Sequence, residues 1–256
     1  TALYDRFVNQ GAVMGDSFGL ENVLWFANNK EDAHEEPTIK RSRSHDYVSK
    51  EVINVRENVG LIEVANFSKH EFKGPDARKF LDHIMAGRLP KPGRISLSPM
   101  LSYRGKLCGD LTVACLDENE FMVFGSGAAQ EMHRRWFESH LDKFNLSYSN
   151  RSDEYHGLSI AGPNSRKVLE KIVRDDVSNE KFKFRDSRRM FVGGVPAIIN
   201  RISFTGELGY EIYVAPHYQL KLYEELIEAG KEFNIKPFGG RALMSMRLEK
   251  NWGAWT

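Results

Sequence analysis

Short runs of alternating apolar and polar residues recur along the chain, separated by glycine- and proline-containing breaks. The alternation predicts strands at 60–64, 70–73, 95–100, 107–116 and 121–124, then at 190–192, 197–201 and within 202–214. Between them a period near 3.6 predicts helices at 48–59, 128–144, 218–233 and 241–250. A further helix opens at Gly74-Pro75-Asp76, with Phe80, Leu81 and Ile84 as its apolar stripe. Proline suits a first helical turn and aspartate suits the positive end of the helix dipole. Residues 1–30 read as a short helix and an extended strap anchored by Trp25 and Phe26, and 31–47 as an exposed charged segment. Trp136, Trp252 and Trp255 read as core or interface aromatics.

The stretch from Arg201 to Val214 reads as strand, turn, strand around Thr205-Gly-Glu-Leu-Gly209, with Gly209 expected at positive φ. On the returning strand Tyr210, Ile212 and Val214 share one face, and Glu211 and Tyr213 the other. Two echoes accompany it. At an offset of 101, Gly105, Leu107, Asp110, Leu111 and Val113 match Gly206, Leu208, Glu211, Ile212 and Val214. At an offset of 88, Gly74 to Met85 matches Gly162 to Val173, with six of twelve residues identical. Repetition in the same order predicts an internal duplication, two similar α+β modules. Packed about a pseudo-twofold axis, they could turn Asp110 and Glu211 toward one central cleft.

Length and composition fit that division. A chain of 256 residues suits two modules of about 100 residues each. A net charge of +1 implies no general affinity for polyanions, so no nucleic-acid role is expected. No apolar run reaches transmembrane length and no membrane role is expected. Cys108 and Cys115 lie seven apart in one extended run and should point to opposite faces, which argues against a disulfide and for a reducing compartment. His133 and His140, also seven apart, have no third ligand in view, so no metal is expected. Gly125-Ser-Gly127 lacks the third glycine of a dinucleotide fingerprint, and no nucleophile elbow, P-loop or Cys-x-x-Cys occurs. What remains is the pair of echoed carboxylates and Arg241, a cation at a helix start that suggests an anionic or carbonyl partner. Such a set suits a flat, nitrogen-rich heterocycle: one carboxylate accepts two N–H bonds and a second can move a proton at an amine.

Three motifs carry a resemblance: Thr205-Gly-Glu-Leu-Gly-Tyr-Glu211, Gly105 through Asp110-Leu-Thr-Val113, and Gly240-Arg241-Ala-Leu-Met-Ser-Met-Arg247-Leu-Glu249-Lys250. Together they resemble the aminomethyltransferase (glycine-cleavage T-protein) family, and more closely the folate-binding half of dimethylglycine and sarcosine dehydrogenases. The N-terminal Leu3-Tyr-Asp-Arg-Phe7 and Trp25-Phe26-Ala27 resemble the junction that follows the flavin domain there. The resemblance implies a T-protein-like fold, two ferredoxin-like modules meeting a small barrel around a tetrahydrofolate channel. It implies a catalytic Asp110 at the reacting folate amines, and Glu211, Arg241, Phe204 and Tyr210 around the pterin. The implied activity is capture, as 5,10-methylenetetrahydrofolate, of the one-carbon unit of an iminium derived from an N-methylamine. FAD would act only in a missing upstream domain.

The departures shape the remaining expectations. Phe204 stands where the family usually has Tyr, Leu20 where it has Trp, and Asn22 where it has Arg. No FAD fingerprint is present, so the chain alone should not oxidise amines. It begins without Met and stops where relatives continue into the barrel, so a fragment or processed product with an incomplete folate site is expected. The expected division is 1–47 as strap from a flavin domain, 48–150 and 151–235 as modules, and 236–256 as a helix returning to the folate site. The expected partners are a small methylamine donor, folate and the flavin domain, in the cytoplasm or, in a eukaryote, the mitochondrial matrix. A stand-alone aminomethyltransferase or demethylase and a non-catalytic folate-binding module are the alternatives.

Overall fold

A computed structural model of the protein describes residues 1–17 and 19–253, so Trp255 lies outside the described residues. The chain opens with helix α1 (Tyr4–Asn9) and an antiparallel hairpin of β1 (Ala12–Ser17) and β2 (Leu20–Phe26). Trp25 is buried on Tyr47, as an anchor should be. Helix α2 (Ser44–Glu57) leads into strand β3 (Val59–Glu63).

Two copies of one plan follow. The first runs β4 (Ser68–Lys73), α3 (Ala77–Ile84), β5 (Arg94–Leu101), β6 (Leu107–Asp117), β7 (Glu120–Gly125), α4 (Gln130–Glu138) and β8 (Ser147–Asn150). The second runs β9 (His156–Ala161), α5 (Ser165–Glu170), β10 (Ser187–Val192), β11 (Val195–Asn200), β12 (Gly209–Val214), α6 (Gln219–Gly230) and β13 (Ile235–Pro237). Helix α7 (Gly240–Glu249) closes the chain. The sheets are ordered β5-β6-β7-β4-β8 and β10-β11-β12-β9-β3-β13. Each keeps the ferredoxin-like order with one added edge strand, β5 or β10, and the second also takes β3 in from outside the repeat; the shared order establishes the duplication. The added β3 sits between β9 and β13, so it belongs to the second sheet and not, as the division at 48 implies, to the first.

The sequence echo at an offset of 88 has a steric cause. Gly74 and Gly162 end their strands at φ +135° and +131°, and a Cβ at either would lie within 3.0 Å of backbone atoms of a packed segment, Asn145–Leu146 for the first and Val55 and Asn58 for the second. Asp76 does not cap α3. One of its oxygens accepts the Asn145 N–H at 2.9 Å, tying the helix start to the segment before β8.

Alternation along the strands gives each sheet two faces. The outer face of the first sheet holds Leu111, Val113, Phe121 and Val123 against Phe80 and Leu81 of α3 and Phe137 of α4. That of the second holds Leu158, Ile160, Tyr210, Ile212 and Val214 against Leu222 and Leu226 of α6. The inner faces meet each other in a third core, which includes Ile95, Ala114, Met122 and Phe124 from one module and Ile198 and Tyr213 from the other. Phe124 and Tyr213 hold the same place, fifth, in the equivalent strands β7 and β12, and their rings stack at 4.5 Å. The starts of β5 and β10 also touch. Ile95 N–H donates to the Arg185 carbonyl at 2.8 Å, Ser187 N–H to the Gly93 carbonyl at 2.9 Å, and Arg94 pairs with Asp186. Contacts of like with like across an interface mark a pseudo-twofold axis there.

Candidate functional site between the modules

Asp110 and Glu211 both stand on inner faces. Leu111, Val113 and Cys115 of β6 point outward, so Asp110, Thr112 and Ala114 point inward. On β12 Tyr210, Ile212 and Val214 point outward, and Glu211 and Tyr213 inward. The two carboxylates are not symmetry mates, however. Asp110 is on β6, the counterpart of β11, whereas Glu211 is third in β12 and corresponds to Met122, third in β7. The echo at an offset of 101 therefore compares two loops entering non-equivalent strands. Those loops share chemistry: Gly105 and Gly206 have φ +70° and +79°. Gly209 has no positive φ, against expectation. It is needed because a Cβ there would meet the Ser203 side chain at 2.6 Å.

The two acids differ in setting. Glu211 is buried at 8% exposure, and the Tyr213 hydroxyl donates to its Oε2 at 2.8 Å. Loss of solvent raises its pKa to about 7, partly offset by that hydrogen bond. Asp110 is exposed, and partial desolvation raises its carboxyl above the usual range. Beside Tyr213 lies Lys69 of β4, fully buried, its Nζ donating to the Ala65 carbonyl at 2.6 Å and lying 5.9 Å from the Tyr213 ring centre. Burial lowers the Lys69 pKa to about 8. The sequence placed Tyr213 on the face of Glu211 without assigning it a role, and Lys69 carried no signal at all.

The other expected site residues scatter. Tyr210 is a correction: it is fully buried on the outer face, its ring stacked on Phe182 at 5.9 Å and its hydroxyl accepting from Arg166 at 3.2 Å. Neighbouring residues of a strand face opposite ways, so Tyr210 belongs to the helix-side core and not with Glu211. Phe204 lies in the loop before β12, 6.3 Å from the Trp252 ring. The Arg241 guanidinium donates to Ser44 Oγ at 2.7 Å and pairs with Glu35, which also accepts the Trp25 indole N–H at 2.6 Å. The anionic partner expected for this helix-start cation is thus a carboxylate of the charged segment. His133 donates from Nε2 to the Cys108 carbonyl at 3.1 Å. Both cysteines are free and both pack toward the outer core, because a bulge skips Cys108 and reverses the expected alternation.

A cleft of about 390 Å³ lies elsewhere, among α2, the end of β2 and β13, with Glu51 in its wall and neither Asp110 nor Glu211. Glu51 is a buried acid that the sequence did not single out. Its two oxygens accept the N–H groups of Phe26 at 2.7 Å and Gly239 at 3.0 Å, and burial raises its pKa to about 7.

A duplicated ferredoxin-like fold with acids on its facing sheets defines a two-module α+β protein of the T-protein type. Residues 3–256 match the GCVT N-terminal domain, and the chain belongs to that family. It is 34% identical to human "Dimethylglycine dehydrogenase, mitochondrial", over all of this chain and 30% of the relative. It is 30% identical to an aminomethyltransferase of Thermoanaerobacter pseudethanolicus, over 76% of this chain and 53% of the relative. The glycine cleavage system aminomethyltransferase T of Bartonella henselae has the same fold, with a TM-score of 0.82, 22% identity, and coverage of 99% of this chain and 63% of that one. The chain therefore spans between 30% and 53% of the length of these curated relatives. Among the described residues no helix is long and apolar enough to cross a membrane.

Proposed function

We propose that the chain binds a reduced folate at the inner faces of its modules and passes a one-carbon unit to it, as the folate-binding part of a dimethylglycine/sarcosine dehydrogenase-like enzyme. The supporting observation is the state of Glu211, a desolvated carboxylate with one oxygen held by Tyr213. An acid in that setting favours a ligand presenting paired N–H donors, because such bonds replace the lost hydration of the anion. The aminopyrimidinone edge of a pterin is such a ligand. When bound, tetrahydrofolate supplies two amine nitrogens that can carry the one-carbon unit.

In this reading Glu211 fixes the orientation of the pterin. Asp110, exposed and raised in pKa, holds or takes a proton at the folate amine. Arg241 and Phe204 complete the surround. For Arg241 this requires exchange of its present partners Glu35 and Ser44. Oxidation of the amine is assigned to a flavin-bearing domain of a longer chain, and the amine to the N-methyl class that the name dimethylglycine dehydrogenase indicates for the human relative.

The test is a pair of substitutions read by two assays. Asp110→Ala should abolish methylene-folate formation in the flavin-coupled enzyme while calorimetry still records tetrahydrofolate binding. Glu211→Ala should lose that binding. Wild-type turnover in the first or wild-type affinity in the second would refute the assignment.

A further inference from the structure

The Tyr213 ring is fully buried and held across the interface by the first module. Phe124 of the first module stacks on it at 4.5 Å, and Lys69, also of the first module, lies 5.9 Å from its centre. Its hydroxyl reaches Glu211 two residues back on the same strand face. Among the described residues no hydrogen bond from another side chain or from the backbone to Glu211 Oε1 is present. We infer that Tyr213 is the positioning residue of Glu211: clamped by the first module, it pins Oε2 through one of its lone pairs and leaves Oε1 and the second lone pair of Oε2 to the paired donors of the ligand. This rests on the folate reading of Glu211 given above and extends it, because the orientation of an acid on one module then depends on packing supplied by the other.

Two effects follow from removing the hydroxyl. The carboxylate gains freedom about its side-chain torsions, and its anionic form loses the one donor that offsets desolvation. The ionisable groups around the pair are Lys69 from β4 and, acting on Lys69, Glu63 of β3 and Asp153. None of these is altered by Tyr213→Phe. The pKa of Glu211 therefore rises further, and binding that requires the anion moves to higher pH. A loss of packing alone would weaken binding equally at every pH.

The experiment is calorimetric titration of the full chain with tetrahydrofolate, under exclusion of oxygen, from pH 6 to pH 9. Wild-type affinity should fall as pH drops through about 7, the value for Glu211. For Tyr213→Phe the midpoint should move up by about one unit, with affinity at pH 7 about fivefold weaker. An unmoved midpoint with wild-type affinity, or a uniform loss at all pH values, overturns the positioning role. Should Tyr213→Phe not fold, Phe124→Leu carries the test. It keeps the hydroxyl but frees the ring; a midpoint moved in the same direction supports the clamp, and an unmoved one overturns it. The folate reading fails separately: wild-type protein would then show no saturable binding, or Glu211→Gln would bind with wild-type affinity and pH dependence.

Discussion

Two glutamates, Glu51 and Glu211, are buried to a similar degree, and desolvation raises both to about 7, yet they serve different ends. Glu51 spends both oxygens on backbone N–H groups and so acts as a clasp, whereas Glu211 has, among the described residues, the Tyr213 phenol as donor. Both folded-state values lie above the ordinary carboxyl value, so the native state binds more protons between about pH 4.5 and 7. Their contribution to stability is thus full below the unfolded value and is lost as pH rises through about 7. Urea unfolding should give a free energy that falls from pH 5 to pH 8, and Glu51→Gln should reduce that fall by about 2 kcal/mol. An unchanged slope would mean that Glu51 does not titrate in this range. Tyr210 offers a second test at this scale. Tyr210→Phe removes a hydroxyl that accepts a hydrogen bond from Arg166, so it should cost about 1 kcal/mol of stability and leave tetrahydrofolate affinity within about twofold of wild type. The alternation of β12 already separated Tyr210 from Glu211; what the sequence lacked was which face met the helices.

At the scale of elements, strands and helices were legible wherever hydrophobic period and packing agreed, as in β4, β7, β12 and α3. They were not legible where side chains take over backbone hydrogen bonds. Residues 201–204 read as strand ahead of the turn, but Ser203 and Thr205 hydroxyls accept the N–H groups of Thr205 and Glu207 at 3.2 Å, and the segment bends. The helix expected over 128–144 ends with α4 at Glu138, and just beyond it Ser139 and His140 both donate to the Trp136 carbonyl at 2.8 Å. The repeated glycine before α3 and α5 is the element whose sequence cause is most direct. Gly162→Ala should destabilise the protein by about 3 kcal/mol, since a Cβ would sit 2.5 Å from the Val55 carbonyl oxygen at a φ disfavoured for any side chain. Thermal unfolding of that variant near the wild-type midpoint would overturn the steric account.

For the whole molecule, the duplication could be read from the Gly-Pro echo, but the symmetry could not, because a match of loops suggested that Asp110 and Glu211 were mates. Pairing registers, which no single sequence displays, assign Met122 to that place instead. The interface invites a double-mutant cycle. Asp186→Ala should cost about 2 kcal/mol, and the double variant with Arg94→Ala should cost less than the sum of the two single ones, by about 1 kcal/mol, because Asp186 is buried while the Arg94 side chain is partly exposed. Full additivity in chemical denaturation would show that the two side chains do not act together. The sheets also differ in how the chain supplies them. Residues 68–150 provide every strand of the first sheet in one continuous span, whereas the second also needs β3, made long before, and β13, made near the end. During synthesis on a ribosome the first module can therefore close while the second is still unmade. Strand β3 must meanwhile wait without neighbours, a sticky edge until β9 arrives, and that interval is when the nascent polypeptide is most exposed to aggregation and most in need of a chaperone.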